Sequence, residues 1–412
     1  MREKTNFERK LILMCEKYAN IILIVFVLVM AILIQKTGCL REPYGDWTTH
    51  FKLWFEEIKA KGLGNFVGGY PKGIELVFWL LIKIKADNLV GLKCFVWIFD
   101  LIIAVSTYFF VKGICKNKMQ ASLAFAVTLL LPSLVLNTSV FGQFDAIVIG
   151  FIMLGLLMWQ IGDNRNFKMG FYLSGLLIGM SLGIKQTAIL FLPIIVYCYI
   201  KEKKVTIIHL LMIPLGYILL STPKWVASGN AYEAFLGPYF DKKSALSVVV
   251  ANFTNIYSLF PQGPSWTNWT SDSGMLAIGN LLCISLLGII FLCVIKKKKP
   301  KVDKIILIQV VFVVIICCTK PGVHDRYMLL ADILSVIYCF ISQDKYRWII
   351  AGIINFVSFY NIMNYLHGCV AEISNTRIII VEVISLIFVA FTFWVVKHLL
   401  EELNDEKMDC AC

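Results

Sequence analysis

Apolar runs of about span length recur along the chain, separated by short polar stretches. A membrane crossing needs about 20 mostly apolar residues. The runs near 18–35, 92–111, 119–136, 145–161, 168–184, 187–200, 205–222, 275–295, 304–319, 327–341, 347–366 and 378–396 read as spans. The pattern predicts an all-α fold, a polytopic transmembrane helical bundle of about 12 spans. A further segment, 72–84, is apolar but short.

Charge decides how that segment is read. If 72–84 crossed, every later loop would change sides. Lys112, Lys116, Lys118, Lys201, Lys203, Lys204 and the lysines at 296–299 would then face outward. Basic residues concentrate in cytoplasmic loops, so 72–84 is predicted to dip into the membrane and return. Arg2, Lys4, Arg9 and Lys10 agree, as do Lys345 and Arg347. Both termini are then expected in the cytoplasm. Residues 1–400 read as one transmembrane domain and 401–412 as a cytoplasmic tail. The first extracytoplasmic loop is 36–91, and the large one is 223–274.

Within the first outer loop, Phe51, Trp54, Phe55 and Ile58 fall at helical spacing, with Lys52, Glu56 and Lys59 on the other face. This predicts a membrane-surface helix over 45–64, apolar side down. Gly62 and Gly64 are placed to end it.

Composition supports the membrane reading. Of 412 residues, 58% are hydrophobic and 16% charged, against roughly a quarter charged in soluble domains. That leaves no room for a sizeable soluble domain. The net charge of +12 is spread among loops, where it orients spans instead of binding nucleic acid. Most of the 13 cysteines, such as Cys198, Cys283, Cys293, Cys317 and Cys318, sit inside apolar runs. No paired CxxC motifs occur, which argues against a zinc site. The first run, from Tyr18, is followed by no small-residue cleavage site and reads as a retained span.

The candidate chemistry lies between the spans. Asp46 is either a helix N-cap or a free carboxylate fit to act as a base. Tyr70-Pro71 opens the dipping segment, as a helix start at the proline or with a ligand-facing tyrosine. In Phe141-Gly142-Gln143-Phe144-Asp145, the aspartate suits a helix N-terminus, and Gln143 is costly against lipid. Lys185-Gln186 separates two apolar runs with almost no loop, so the lysine either snorkels or holds an anion. His324, Asp325 and Arg326, followed by Tyr327, form the densest cluster: a surface ion pair with an interfacial tyrosine, or a phosphate site. Asp100 lies mid-span and requires a partner or a function. The 223–274 loop carries Trp225, Tyr232, Tyr239, Asn252, Asn255, Tyr257, Trp266 and Trp269, which suit carbohydrate contact or an interfacial belt. The topology gathers these loop clusters on one membrane face.

In this order, the motifs resemble the GT-C superfamily of membrane glycosyltransferases. Gly45-Asp46-Trp47-Thr48-Thr49-His50 looks like the family's loop aspartate followed by a surface helix. Tyr70-Pro71 looks like its Tyr-Pro-Pro element, with Lys72 in place of the second proline. Gly142-Gln143-Phe144-Asp145 resembles the polar span-entrance motif of the mannosyl- and glucosyltransferase branches. Asn252-Phe253-Thr254-Asn255-Ile256-Tyr257 and His324-Asp325-Arg326-Tyr327 resemble two of their later elements.

The resemblance implies transfer of a sugar, with inversion, from a polyprenyl-phosphate donor. The acceptor would be a glycolipid, cell-wall polymer or glycan on the extracytoplasmic face, most simply of a bacterial cytoplasmic membrane. Asp46 would be the catalytic base. His324, Asp325, Arg326, Lys185, Gln186, Gln143, Asp145, Tyr70, His50, Asn252 and Asn255 would bind substrate and phosphate. Some members carry adjacent paired carboxylates, but here Asp46 stands with only Glu42 four residues earlier. This favours a metal-independent enzyme without excluding a divalent ion. Two other classes fit the spans: a transporter or flippase for lipid-linked saccharides, and a polysaccharide polymerase or ligase. The first tends to show internal repeats and midplane sites; the chain has no evident repeat and its polar clusters sit at span ends, with mid-span Asp100 the one feature that favours this class. The second would be expected to place arginine in the large loop, and 223–274 has none.

Overall fold

The structure, a computed structural model, describes residues 5–41, 45–65, 69–164, 167–241, 248–260, 273–368 and 375–405. The chain runs through α1 (Asn6–Cys39), α2 (Lys52–Lys61), α3 (Gly73–Lys83), α4 (Leu89–Cys115), α5 (Lys118–Leu129) and α6 (Pro132–Val135). It continues through α7 (Asp145–Asn164), α8 (Lys168–Ile184), α9 (Leu192–Lys201), α10 (Ile207–Ser228), α11 (Ala231–Phe235) and α12 (Gly237–Phe240). The last five are α13 (Ser273–Ile295), α14 (Val302–Thr319), α15 (Leu329–Ile341), α16 (Arg347–Gly368) and α17 (Asn375–Asp405). Among the described residues the only strand-like pairing is an isolated bridge between Ala251 and His324.

The all-α expectation holds. Among the described residues, eight helices (α1, α4, α7, α10, α13, α14, α16 and α17) are long and apolar enough to cross a membrane. The predicted run 119–136 is broken: Lys118–Leu129 and Pro132–Val140 meet at 42°. Pro132 is the cause. It has no N–H to give the ladder, and it pushes Leu131 out of helical geometry to φ −60°, ψ 122°. Three shorter apolar helices, Lys168–Ile184, Gln186–Lys201 and Leu329–Ile341, occupy the other predicted runs.

In the 72–84 segment, α3 has 11 residues, or about 16 Å, half of a hydrocarbon core of about 30 Å. Its length suits a dip. Helix α14 forms the centre: every residue from Ile306 to Thr319 is buried, nearly all of them apolar, and Gln309 among them donates to Leu190 O at 2.7 Å, as for a helix enclosed by others. Helix α1 is the opposite case, with 17% of its span window buried and Ile21, Ile22, Val25 and Phe26 exposed. Helices α8 and α10 approach backbone to backbone. A Cβ on Gly179 would meet Ile213 O at 1.9 Å, and one on Gly216 would meet Leu176 O at 2.1 Å. Such close crossings use small residues in membranes.

The surface-helix expectation needs correction. The apolar stripe is real, with Phe51, Phe55 and Ile58 buried. It lies on protein, however: the Phe55 ring packs tilted at 4.4 Å and the Phe51 ring edge-on at 6.0 Å against Phe78 of α3, and Phe51 meets Phe144 at 5.4 Å. Amphipathic spacing shows that a face is covered, not what covers it. The helix also begins with a π-helical turn, Trp47–Phe51, and α2 ends at Gly62 with φ +80°.

Candidate functional site

The α6–α7 connection positions two of the polar groups. Gly142 turns the chain at φ +73°, a conformation open to glycine. After it, Gln143 donates its backbone N–H to Asn137 O, and Asp145 opens α7. A third group comes from the break after α8. Lys185 is extended, at φ −153° and ψ 143°, before the 3-10 turn Gln186–Phe191. This aims its side chain into the bundle, where the residue is 2% exposed. Snorkelling is therefore overturned: Lys185 Nζ donates to Asp145 Oδ1 at 2.7 Å.

Arg326, in the turn between α14 and α15, is the hub. Its Nη2 lies 3.2 Å from Asp46 Oδ2, its Nε 3.4 Å from Asp145 Oδ2, and its Nη1 3.4 Å from Asp325 Oδ1. Gln143 Nε2 donates to Asp46 Oδ2 at 2.7 Å. The guanidinium stands 5.2 Å from the Phe141 ring centroid, and Lys185 Nζ stands 5.1 Å from that of Phe144. Tyr70 adds its hydroxyl to Arg326 and packs edge-on against Trp54 and Phe144. Asp46 gives its helix no side-chain cap, so the capping role predicted for it is overturned. Its carboxylate is spent on Arg326 and Gln143, and its side chain stays 22% exposed.

Three carboxylates thus face two cations. Burial pushes the Asp325 carboxyl up to about 7, outweighing Arg326 beside it. Burial alone would lower Arg326, but Asp325, Asp145 and Asp46 reverse this and hold it protonated. Burial, with Arg326, Lys185 and Lys320, drives the His324 imidazole well below its ordinary range. Burial likewise raises the Tyr70 hydroxyl.

These shifts oppose one another in acid. Between its ordinary value of 3.8 and about 7, Asp325 keeps a proton in the fold that it loses when unfolded, so stability falls as pH rises. Below 6.5 the unfolded His324 takes up a proton that the fold refuses, so stability rises with pH. Asp325→Asn is expected to leave only the rise, and His324→Gln only the fall. Melting temperatures in detergent from about pH 4.5 to 8 check this. Superimposable pH profiles for both variants would refute it.

Other predicted residues stand outside the ionic cluster. His50 is exposed and stacks on Trp54, with ring centroids 6.0 Å apart. Gln186 donates to Gly69 O at 2.8 Å and Pro238 O at 3.0 Å, tying the residue before Tyr70 to α12. Asn252 takes a left-handed φ of +62°, and Asn255 accepts from the Tyr257 N–H at 3.0 Å to cap the turn Ile256–Leu259. Their segment runs beside His324 through the Ala251 bridge and through Gly322 N–H to Val249 O. These two asparagines shape the wall of the site. Asp100 finds a hydroxyl partner across helices in Thr138, at 3.0 Å. Trp266 and Trp269 lie outside the described residues.

Sequence reasoning passed over the charges that pin the first outer loop. Glu75 accepts from Gly64 N–H at 2.6 Å, and Lys224 Nζ donates to Gly64 O at 2.5 Å and lies 2.9 Å from Glu233. Lys93 donates to Gly38 O at 3.1 Å and Arg41 O at 2.7 Å, meeting the carbonyls at the end of α1. The signal was present: each is a charge inside or beside an apolar run. At the other end of the bundle, Asp344, His398 and Glu402 have ligand atoms within 4.8 Å of one another, a geometry that could hold a metal. They already have partners: Asp344 accepts from Tyr338, His398 and the Tyr346 amide, and Glu402 from Lys304.

A family comparison bears on the whole arrangement. The model of glycosyltransferase family 87 matches residues 70–319. The matched stretch holds Tyr70, Gln143, Asp145 and Lys185, and the fold brings Asp46 and Arg326 to it from outside. No curated protein matches the chain. The family match takes in more than half of the residues, and the chain belongs to glycosyltransferase family 87, a GT-C-type family of membrane glycosyltransferases.

Proposed function

We propose that the protein transfers a sugar, with inversion, from a polyprenyl-phosphate donor to an acceptor hydroxyl on the extracytoplasmic side of the membrane. One observation carries the reading: Asp46 remains partly exposed while held by Arg326, beside the buried Lys185. Asp46 takes the acceptor's proton as that oxygen attacks the anomeric carbon. The bond from that carbon to the lipid phosphate oxygen breaks on the opposite face, and its electron pair leaves with the phosphate. A phosphate is a good leaving anion, so it needs cations more than an acid. Arg326 and Lys185 supply them, and the neutral His324 offers a hydrogen bond.

The lysine-rich loops support the sidedness, since they lie away from these groups. Short loops suit a bacterial cytoplasmic membrane. The acceptor is a glycolipid, wall polymer or glycan. The transfer is metal-independent in this reading: Asp46, Asp145 and Asp325 already face Arg326, and Asp145 also holds Lys185.

The test is purified full-length protein in detergent with labelled polyprenyl-phosphate sugars, membrane lipid extract and EDTA. Transfer from at least one such donor is expected. Transfer from nucleotide sugars alone would sink the donor assignment. Activity that vanishes in EDTA and returns with a divalent ion would sink the metal-independent part.

A further inference from the structure

The end of the bundle opposite the ionic site carries a groove between the last turns of α4 and α7. It encloses about 650 Å³ and is walled by Phe109, Leu157 and Ile161, with Lys112, Lys116 and Gln160 at its edge. Along α7, Ile161 lies 16 residues beyond Asp145, or about 24 Å at 1.5 Å per residue. The groove is therefore separate from the ionic site.

Several lysines at this end of the bundle are neutralised by acids. Lys204 pairs with Asp163 at 2.7 Å, and Lys299 and Lys304 pair with Glu202 and Glu402. Among the described residues, Lys112 and Lys116 form no ion pair. Lys112 Nζ stands 5.5 Å and 5.8 Å from the ring centroids of Tyr108 and Phe109. Lys116 is the left-handed cap of α4, and its Nζ donates to Gly113 O at 2.5 Å. That contact holds the ammonium at the rim. Both walls end here at helix C-termini, whose carbonyls repel anions, so an anion at this rim depends on the two cations. The acid closest in sequence on α7, Asp163, is already taken by Lys204. Gln160 is also engaged, donating to Phe110 O at 2.8 Å. The α4 wall is open, with Val105 and Phe109 exposed.

We infer that this groove binds one anionic phospholipid, its phosphate on Lys112 and Lys116 and its chains along Phe109, Leu157 and Ile161. Basic pockets between spans hold anionic headgroups by the same chemistry. A zwitterionic lipid offers the same chains but sets a cation against both lysines.

Native mass spectrometry of the full chain in mild detergent tests the proposal. Dioleoyl phosphatidylglycerol is titrated against dioleoyl phosphatidylcholine and inorganic phosphate. One phosphatidylglycerol is expected to be retained in preference to phosphatidylcholine. Lys112→Gln should weaken it about five-fold, and the Lys112→Gln, Lys116→Gln pair about thirty-fold. Arginine at both positions should restore it. Ile161→Trp fills the groove with both charges intact and should also abolish retention, which keeps the test decisive if the lysine variants fold poorly. The exposed Lys203 is the control. Equal retention of the two lipids, an equal loss in Lys203→Gln, or full displacement by inorganic phosphate would each overturn the proposal.

Discussion

Asp46→Asn is expected to leave a folded membrane protein with almost no transferase activity. Asparagine keeps the shape and can still accept a hydrogen bond from Gln143 or Arg326, but it cannot take the acceptor's proton. Loss of a positioned base costs about 10²–10⁴ in rate. The fall should appear in turnover, with little change in KM. The substitution also removes one of the three carboxylates facing two cations, so the melting temperature should hold or rise. Asp46→Glu keeps the charge one methylene out of place and should be intermediate. Labelled-sugar transfer and detergent melting curves, measured on the same preparations, read both effects. Wild-type turnover in Asp46→Asn would end the assignment of Asp46 as base.

Arg326→Met is expected to be the most damaging single change to stability at the site. It leaves Asp46, Asp145 and Asp325 with Lys185 as the remaining cation among their ion pairs. Removing one partner of a buried charge network costs about 3–5 kcal/mol. Arg326→Lys should recover part of this, because a single ammonium cannot reach three carboxylates as a guanidinium fork does. Adding Asp325→Asn to Arg326→Met should restore stability beyond the sum of the single effects, since the two groups touch. The check is the melting temperature of the monodisperse fraction in one detergent. An unchanged value for Arg326→Met would show that the cluster does not hold these helices together.

How much was legible beforehand varies by element. The long spans were readable because lipid offers no partner for backbone groups, so an apolar run of sufficient length becomes a helix. For 72–84 the loop charge gives an expectation, a dip, and the structure adds only that α3 is short, at 11 residues. Asp46, Gln143, Asp145, Lys185 and Arg326 stood out as polar groups at costly places. Their roles did not. Lys185 pairs with a residue 40 positions away and Arg326 with one 280 away, and nothing local encodes such partners. The amphipathic stripe of α2 could not name α3 as its cover. Asn255 and Gln186 were grouped with the site but prove to fasten its backbone. Glu75 and Lys224, which hold the segment after α2 in the first outer loop, went unremarked although each is a charge inside or beside an apolar run.

By itself the sequence determined the helical class, the membrane setting and which polar groups stand at costly places. Each follows from a local rule: apolar length, loop charge, or the cost of a polar atom at a span end. Tertiary structure decided which charges meet. It turned Lys185 inward at the break after α8, made Arg326 the common partner of three carboxylates, and left Asp46 at the open edge. The physical reason is that buried charges are stable only with partners, and those partners come from helices that only packing brings together.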